Sequence, residues 1–111
     1  MQINIKATEF DLTPSLKTYV ERKLGTLVKF IPDLDETGQP ELYVEIGRTT
    51  RHHQHGPVFR AEADLRLPRR VLRAEHVDED VRSAIDKLKD LLHLEIEKYK
   101  KKSVRRPKVR G

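Results

Sequence analysis

The fold is decided by residues 58–88, VFRAEADLRLPRRVLRAEHVDEDVRSAIDKL, in which two different periodicities meet. From Phe59 to Leu67 apolar and charged residues alternate, which predicts a strand with one buried face and one solvated face. Pro68 marks a turn, and a shorter alternating strand follows it. After Asp80 the apolar residues recur every three or four positions, which is typical of an amphipathic helix. This stretch therefore predicts a β-hairpin followed by a helix.

The helix after the hairpin is predicted to be long, and the charged residues at its two ends favour the helix dipole. The residues from Asp78 to Asp80 are acidic, and acids favour the positive N-terminal end. The residues from Lys98 to Lys102 are mostly lysines, which favour the negative C-terminal end. The predicted apolar stripe of this helix consists of Val81, Ile85, Leu88, Leu92, Ile96 and Tyr99.

The first half of the chain predicts a strand, a helix and a second strand. MQINIKA at residues 1–7 alternates like a half-buried strand, and so does LYVEIGRT at residues 42–49. Between them, Thr13 is suited to cap a helix whose first residue is Pro14. The predicted apolar stripe of this first helix consists of Leu16, Val20, Leu24, Leu27 and Ile31.

The element order β-α-β-β-β-α predicts an α+β fold, a two-layer sandwich in one domain. The β-α-β crossover should make the first two strands parallel, and short connections should make the last three strands an antiparallel meander. Each strand offers one apolar face and each helix one apolar stripe. Both helices are therefore expected on one face of a four-stranded sheet.

The formal charge of +5 is unevenly distributed along the chain. Residues 98–111 contain eight Lys and Arg and no acid, while the remainder has 15 bases and 18 acids. A binding site for a polyanion must therefore be a segregated patch together with the C-terminal tail. Without Cys, a long apolar run or a signal peptide, the sequence is interpreted as cytoplasmic.

No motif in the chain favours an enzyme or a cofactor. There is no Gly-rich phosphate loop and no nucleophile motif. The histidines His52, His53 and His55 in RHHQHGP are close together, but their spacing fits neither one helix face nor a known zinc frame, so no metal is predicted. Partial protonation of histidines near pH 6.5 would instead make this loop an acid-tunable contact for a polyanion.

Two stretches of the chain resemble the ribosome hibernation-promoting factor family, also called ribosome-associated inhibitor or sigma-54 modulation proteins. They are MQINIKATEFDLTPSLKTYVERKLGTLVKFI and the stretch quoted first. The resemblance covers residues 1–102 and is most specific in LTPSLKTYV and LRAEHVDEDVRSAID. It implies a noncatalytic protein that occupies the mRNA and tRNA channel of the small ribosomal subunit. Such a protein inhibits translation in idle cells, during stress or in stationary phase.

The resemblance also implies which residues contact ribosomal RNA. Six lysines match positions at which the family is usually basic: Lys17, Lys23, Lys29, Lys98, Lys101 and Lys102. Leu91 and Leu94 stand where a Lys and an Arg are expected, so the resemblance implies no RNA contact at these two positions. At 100° per residue, however, a displaced basic row falls on one flank of that helix: Arg82, Lys89, His93 and Lys100.

Each basic feature has a simpler interpretation as solvated charge. Lysines along an amphipathic helix more often form a solvated face than an RNA site, and only the resemblance reverses this preference. Arg69 and Arg70 lie at the predicted hairpin turn, where arginine also protects sheet edges, so they are auxiliary candidates. Arg105 and Arg106 are auxiliary candidates as well. The alternative function is a protein-interaction module that regulates a transcription factor.

The residues 103–111 are predicted to form a flexible basic tail, because charge density and Pro107 disfavour a helix. Longer relatives carry a second domain that pairs two ribosomes, whereas this sequence stops at Gly111. The sequence therefore predicts a monomer in solution that binds ribosomes one to one.

Overall fold

A computed structural model describes residues 1–31, 39–49 and 58–105 of the chain. Residues 106–111 of the tail predicted for residues 103–111, and the loop with His52, His53 and His55, lie outside these residues. In chain order the elements are β1 (Gln2–Thr8), α1 (Pro14–Gly25), a 3₁₀ helix (Thr26–Phe30), β2 (Glu41–Thr49), β3 (Val58–Leu67), β4 (Arg70–Asp78) and α2 (Val81–Arg105).

The four strands form one mixed sheet in the order β1-β2-β3-β4. β1 pairs with β2 in parallel, with Ile3 opposite Leu42, while β3 and β4 continue the sheet in antiparallel pairing. The predicted α+β sandwich is therefore confirmed, including the parallel first pair and the antiparallel meander.

The core lies between the two helices and one face of the sheet. α2 packs on β3 and β4, while α1 packs beside α2 and contacts β1. The alternating strand residues Leu42, Val44 and Ile46 point into this layer, and the stripes of both helices meet them. The fully buried large side chains are Val20, Leu24, Leu27, Leu42, Ile46, Leu65, Ile85, Leu88, Leu92 and Ile96. Both apolar stripes were predicted correctly, and their terminal residues Ile31, Val81 and Tyr99 are half-buried.

Each α-helix begins at the cap that its sequence indicated. The backbone N–H of Leu16 donates to Thr13 Oγ1 at 3.1 Å, and Pro14 follows the cap. At α2, the N–H of Ser83 donates to Asp80 Oδ2 at 2.8 Å. The N–H of Asp80 donates to Asp78 Oδ1, and this bond holds the pKa of Asp78 below its ordinary value. The caps satisfy backbone donors that the first helical turn leaves without partners.

Both helices differ from expectation at their C-terminal ends. α1 ends at Gly25 and continues as a 3₁₀ helix, since glycine is a poor helix former and the Thr26 hydroxyl donates to the carbonyl of Lys23 at 2.7 Å. Ile31 is extended, as expected for a residue that precedes a proline. α2 continues to Arg105, three residues beyond its predicted end, because Pro107 disfavours the helical conformation chiefly in the residue directly before it.

Candidate nucleic-acid interface

α1 and α2 lie side by side and run in the same direction. Each helix runs back across the sheet from the end of a strand, and the sheet pairing makes those strands, β1 and β4, point the same way. Arg82 donates to Ser15 Oγ at 3.2 Å, and the Tyr19 hydroxyl donates to Asp86 Oδ1 at 2.6 Å. Both pairs are separated by 67 positions in sequence. The helices therefore keep a constant offset over at least one turn.

The line along which the helices meet is called the helical seam. Its α2 side is a row of residues spaced by three or four positions, which places them on one flank of the helix. Its residues on the first helix and the 3₁₀ helix are Ser15, Tyr19, Arg22, Lys23, Lys29 and Phe30. Its residues on α2 are Arg82, Asp86, Lys89, His93, Glu97 and Lys100.

Tyr19 is the centre of the first half of the seam. Three cations lie within 6 Å of its ring centroid: Arg82 at 5.2 Å, Lys23 at 5.5 Å and Arg22 at 5.7 Å. The hydrogen bond to Asp86 raises the pKa of the Tyr19 hydroxyl above its ordinary value. One partly buried aromatic ring is therefore surrounded by cations from both helices.

A second aromatic pair holds the other half of the seam. Phe30 stacks on His93 with ring centroids 4.0 Å apart and an interplanar angle of 25°. Lys29 lies over the Phe30 ring at 5.3 Å, and His93 Nε2 is 3.4 Å from a carboxylate oxygen of Glu97. The 3₁₀ helix therefore presents its lysine beside α2 and extends the basic line that begins at Tyr19.

The seam carries more positive than negative charge. Its six cations, Arg22, Lys23, Lys29, Arg82, Lys89 and Lys100, face two carboxylates. Lys23 Nζ is 3.6 Å from Asp86, and Lys100 Nζ is 3.4 Å from Glu97. These pairs are partly exposed and contribute little to stability, and the seam keeps a net charge of +4. An exposed row of lysines and arginines on two packed helices is suited to the regularly spaced phosphates of a nucleic acid.

Only part of the predicted site lies on the seam. The structure groups Lys23, Lys29, Arg82, Lys89 and Lys100 there. His93, a member of the displaced basic row, is there too. The row predicted from helix periodicity therefore coincides with the flank that faces α1 and the 3₁₀ helix.

The other predicted residues lie elsewhere. Lys17 is two positions from Tyr19, hence about 200° away around α1. Lys98 is on the opposite flank of α2, 3.3 Å from Glu95, while Lys101 and Lys102 are exposed near its C-terminal end. Arg69 is in the turn between β3 and β4, and Arg70 begins β4. Only the helical backbone of Arg105 is described, and Arg106 lies outside the described residues.

Sequence reasoning missed Tyr19, Arg22 and Phe30. A signal for the first two exists, because an aromatic residue and an arginine three positions apart share one helix face. No sequence pattern reports the offset between two helices, however, and this offset is what brings Arg82 and His93 to these rings.

The solvated face of the sheet is chemically different from the seam. Its four cations, Lys6, Arg60, Arg66 and Arg73, share the face with five carboxylates, Glu41, Glu45, Glu62, Asp64 and Glu75. Arg60 forms ion pairs with Glu62 and Glu75, Arg73 lies 3.3 Å from Asp64, and Arg66 stacks over Tyr43 at 4.1 Å. This face is close to neutral, and three of its four cations, Arg60, Arg66 and Arg73, have partners on it.

The described residues contain neither a membrane-spanning helix nor a cluster of metal-ligating side chains. Residues 1–31, 39–49 and 58–105 contain no helix long and apolar enough to cross a membrane. The same part of the chain contains no group of three or more His, Asp or Glu side chains arranged to hold a metal ion.

Comparison with known proteins identifies relatives over nearly the whole chain. A model of the family described as Sigma 54 modulation protein / S30EA ribosomal protein matches residues 3–104. The ribosome hibernation promotion factor of Lactococcus lactis is 31% identical over 110 residues, which is 97% of this chain and 54% of that protein. The chain therefore spans about half the length of this curated relative.

Solved structures show the same fold. A ribosomal subunit interface protein from Coxiella burnetii superposes with a TM-score of 0.70 at 20% identity, over 91% of this chain and 99% of that one. The N-terminal domain of Thermus thermophilus Protein Y superposes with a TM-score of 0.63 at 26% identity, over 89% and 99% of the two chains. The described β-α-β-β-β-α arrangement is thus the fold that these two solved structures share.

Proposed function

Since the chain belongs to the Sigma 54 modulation protein / S30EA ribosomal protein family, we propose that it is a noncatalytic ribosome hibernation factor that binds the small ribosomal subunit. In this proposal it acts in the cytoplasm, occupies the channel used by mRNA and tRNA, and inhibits translation in idle cells, under stress or in stationary phase. One copy binds one small subunit, and ribosomal RNA is the contacted surface.

The observation that carries this proposal is the helical seam. Six cations from two helices lie along one line, and aromatic contacts hold those around Tyr19 and Phe30 in place. Phosphate contacts on a rigid frame position a protein on RNA without requiring base recognition, and binding releases counterions. This mode suits a factor that must recognise every ribosome of the cell.

The mechanism requires occupancy rather than chemistry. A folded domain seated in the channel excludes mRNA and tRNA by volume, and it leaves again when competing ligands or ionic conditions change. The residues proposed to make contact are the seam cations, supported by Lys101 and Lys102 at the exposed end of α2. Lys17, Lys98, Arg69, Arg70, Arg105 and Arg106 are proposed as peripheral contacts.

The test is sedimentation with purified small subunits in sucrose gradients at two salt concentrations. If about six phosphates are contacted, affinity should fall roughly a thousandfold between about 50 and about 200 mM salt. An apolar protein interface, as expected for a regulator of a transcription factor, would change little. A protein that stays at the top of the gradient at low salt, with subunits in excess, contradicts the proposal.

A competition experiment tests the location. Bound protein should be displaced by mRNA together with initiator tRNA, and it should reduce the binding of both to the small subunit. Simultaneous binding of all three at saturation would contradict placement in the channel while leaving ribosome binding intact.

A further inference from the structure

β4 is an edge strand. It is the last strand of the sheet that the described residues form, and it pairs with β3 on one side. Leu67 and Arg70 flank a two-residue turn, and in such a hairpin the flanking pair is hydrogen-bonded. From this pair onward, hydrogen-bonded and non-hydrogen-bonded pairs alternate along the hairpin. The backbone N–H and C=O groups of four β4 residues therefore point away from β3: Val71, Arg73, Glu75 and Val77. A long edge with such groups is a template for another strand.

The sequence of β4 is complementary to itself in antiparallel orientation. RVLRAEHVD, read against a reversed copy centred on Ala74, places Arg73 opposite Glu75 and Val71 opposite Val77. The same register places Arg70 opposite Asp78 and the two Ala74 residues opposite each other. It also pairs residues whose backbone groups both point outward, so that main-chain hydrogen bonds and charges are satisfied together.

Exposed apolar side chains gather around this edge. Five large apolar residues of the described chain are exposed, and four of them belong to β4 or to the adjacent flank of α2: Val71, Val77, Leu91 and Leu94, at 36% to 59% exposure. Leu91 and Leu94 line a groove of about 530 Å³ together with Arg73, Ala74 and Glu75. The leucines that replace the expected basic residues therefore lie beside the centre of the self-complementary register.

The charges of the edge are also better satisfied by a second copy. Glu62 and Glu75 are directly opposite each other on β3 and β4, and Arg60 bridges them. Like charges in directly opposed positions are unfavourable. The second copy would place its Arg73 opposite Glu75. The Arg73 and Glu75 side chains are 73% and 61% exposed, so both can reach a partner.

We propose that two copies of this chain associate through β4, antiparallel and centred on Ala74, to form a continuous eight-stranded sheet. The two α2 helices then lie next to each other on one face, where Leu91 and Leu94 of both copies bury each other. On the solvated face, Arg73 of each copy pairs with Glu75 of the other. This inference departs from the monomer expected from the sequence. The seam lies on the other flank of α2 and stays accessible in the associated pair, whereas two of the proposed peripheral RNA contacts, Arg70 and Lys98, lie at the associating edge.

Sedimentation equilibrium of the full chain tests the association directly. Between about 1 µM and about 1 mM, a range that covers weak and moderate affinities, the average mass should rise from that of one chain to that of two. A single-chain mass over the whole range overturns the proposal.

Charge exchange tests the register. Arg73→Glu alone and Glu75→Arg alone each place like charges opposite one another twice, and each should weaken association at least about tenfold. An equimolar mixture of the two variants restores both attractive pairs and should associate again. If the mixture stays as weak as the single variants, the register is wrong.

The apolar contribution has a matched control within the chain. Val77→Lys should weaken association strongly, whereas Val28→Lys should not, although Val28 is exposed to a similar degree, 44% against 54%. Circular dichroism and thermal melts establish that each variant is folded. Association that responds equally to both variants, or to neither, would show that β4 is not the interface.

Discussion

The helical seam and the solvated face of the sheet differ in how their charges are arranged, although both are rich in ions. On the sheet, four cations and five carboxylates alternate across strands and form pairs such as Arg73 with Asp64. On the seam, six cations face two carboxylates, and aromatic rings rather than acids hold several of them. Charge that is already paired stabilises a surface locally, while unpaired charge is available to a polyanion.

The largest effect on affinity for the small subunit is expected from removing two cations of the seam. Lys29→Ala with Lys89→Ala should lower affinity for the small subunit roughly a hundredfold, since each lysine contributes one charge-assisted phosphate contact. The salt slope should fall by about two. Filter binding or sedimentation at several salt concentrations measures both.

The matched control removes two cations from the sheet face, with Lys6→Ala and Arg66→Ala. The net charge changes by the same amount, and affinity should change by less than about threefold because long-range charge is screened by salt. Equal losses from the two double variants would show that total charge, not the seam, decides binding.

An intermediate effect is expected from removing an acid. Asp86→Asn leaves the seam with one carboxylate, so affinity for the small subunit should increase several-fold. Glu62→Gln on the sheet face is the control and should leave affinity unchanged. A decrease for Asp86→Asn would indicate that this carboxylate positions Tyr19 and Lys23 more than it repels phosphate.

A pH titration examines the seam without a ligand. The pKa of Tyr19 is raised because its hydroxyl donates to Asp86. A raised pKa means that the stabilising contribution is fully present below the unfolded value of about 10 and is lost as pH rises through the folded value. In a titration followed by tyrosinate absorbance, Tyr19 should ionise at higher pH than an ordinary tyrosine. This ionisation step should disappear in Tyr19→Phe and move to lower pH in Asp86→Asn. If neither substitution changes the titration, the Tyr19–Asp86 bond does not persist in solution.

The smallest effect is expected on the sheet face. Arg66→Gln removes the stacking over Tyr43, and an exposed cation–π contact contributes about 0.5 kcal/mol to the free energy of unfolding. Urea denaturation should detect this loss while ribosome binding stays unchanged. A larger loss of stability would mean that this face is more tightly coupled to the core than its exposure indicates.

Sequence periodicity predicted the fold well because the core uses it directly. The alternation from Phe59 to Leu67 and the stripe from Val81 to Tyr99 are the two sides of one apolar layer. The C-terminal ends of the helices were less predictable. They depend on how far Gly25 and Pro107 disfavour the α-helical conformation in the residues around them.

The site was predicted only in part, for a physical reason. Periodicity assigns Lys89 and Lys100 to one flank of α2, but it does not report what lies next to that flank. The neighbour is set by the offset between parallel helices, which the sheet determines through long-range pairing. The seam therefore combines predictable rows into a site that neither helix sequence contains alone.

The position of Tyr19 also has a practical consequence for optical spectroscopy. The chain has three tyrosines and no tryptophan, so tyrosine emission is not masked. Tyr19 lies on the seam, Tyr43 lies on the sheet face under Arg66, and Tyr99 packs against the core. Single Tyr→Phe variants can thus assign the emission to each location. The protein contains its own fluorophore at the surface where RNA is proposed to bind and another at the surface where it is not, without any label.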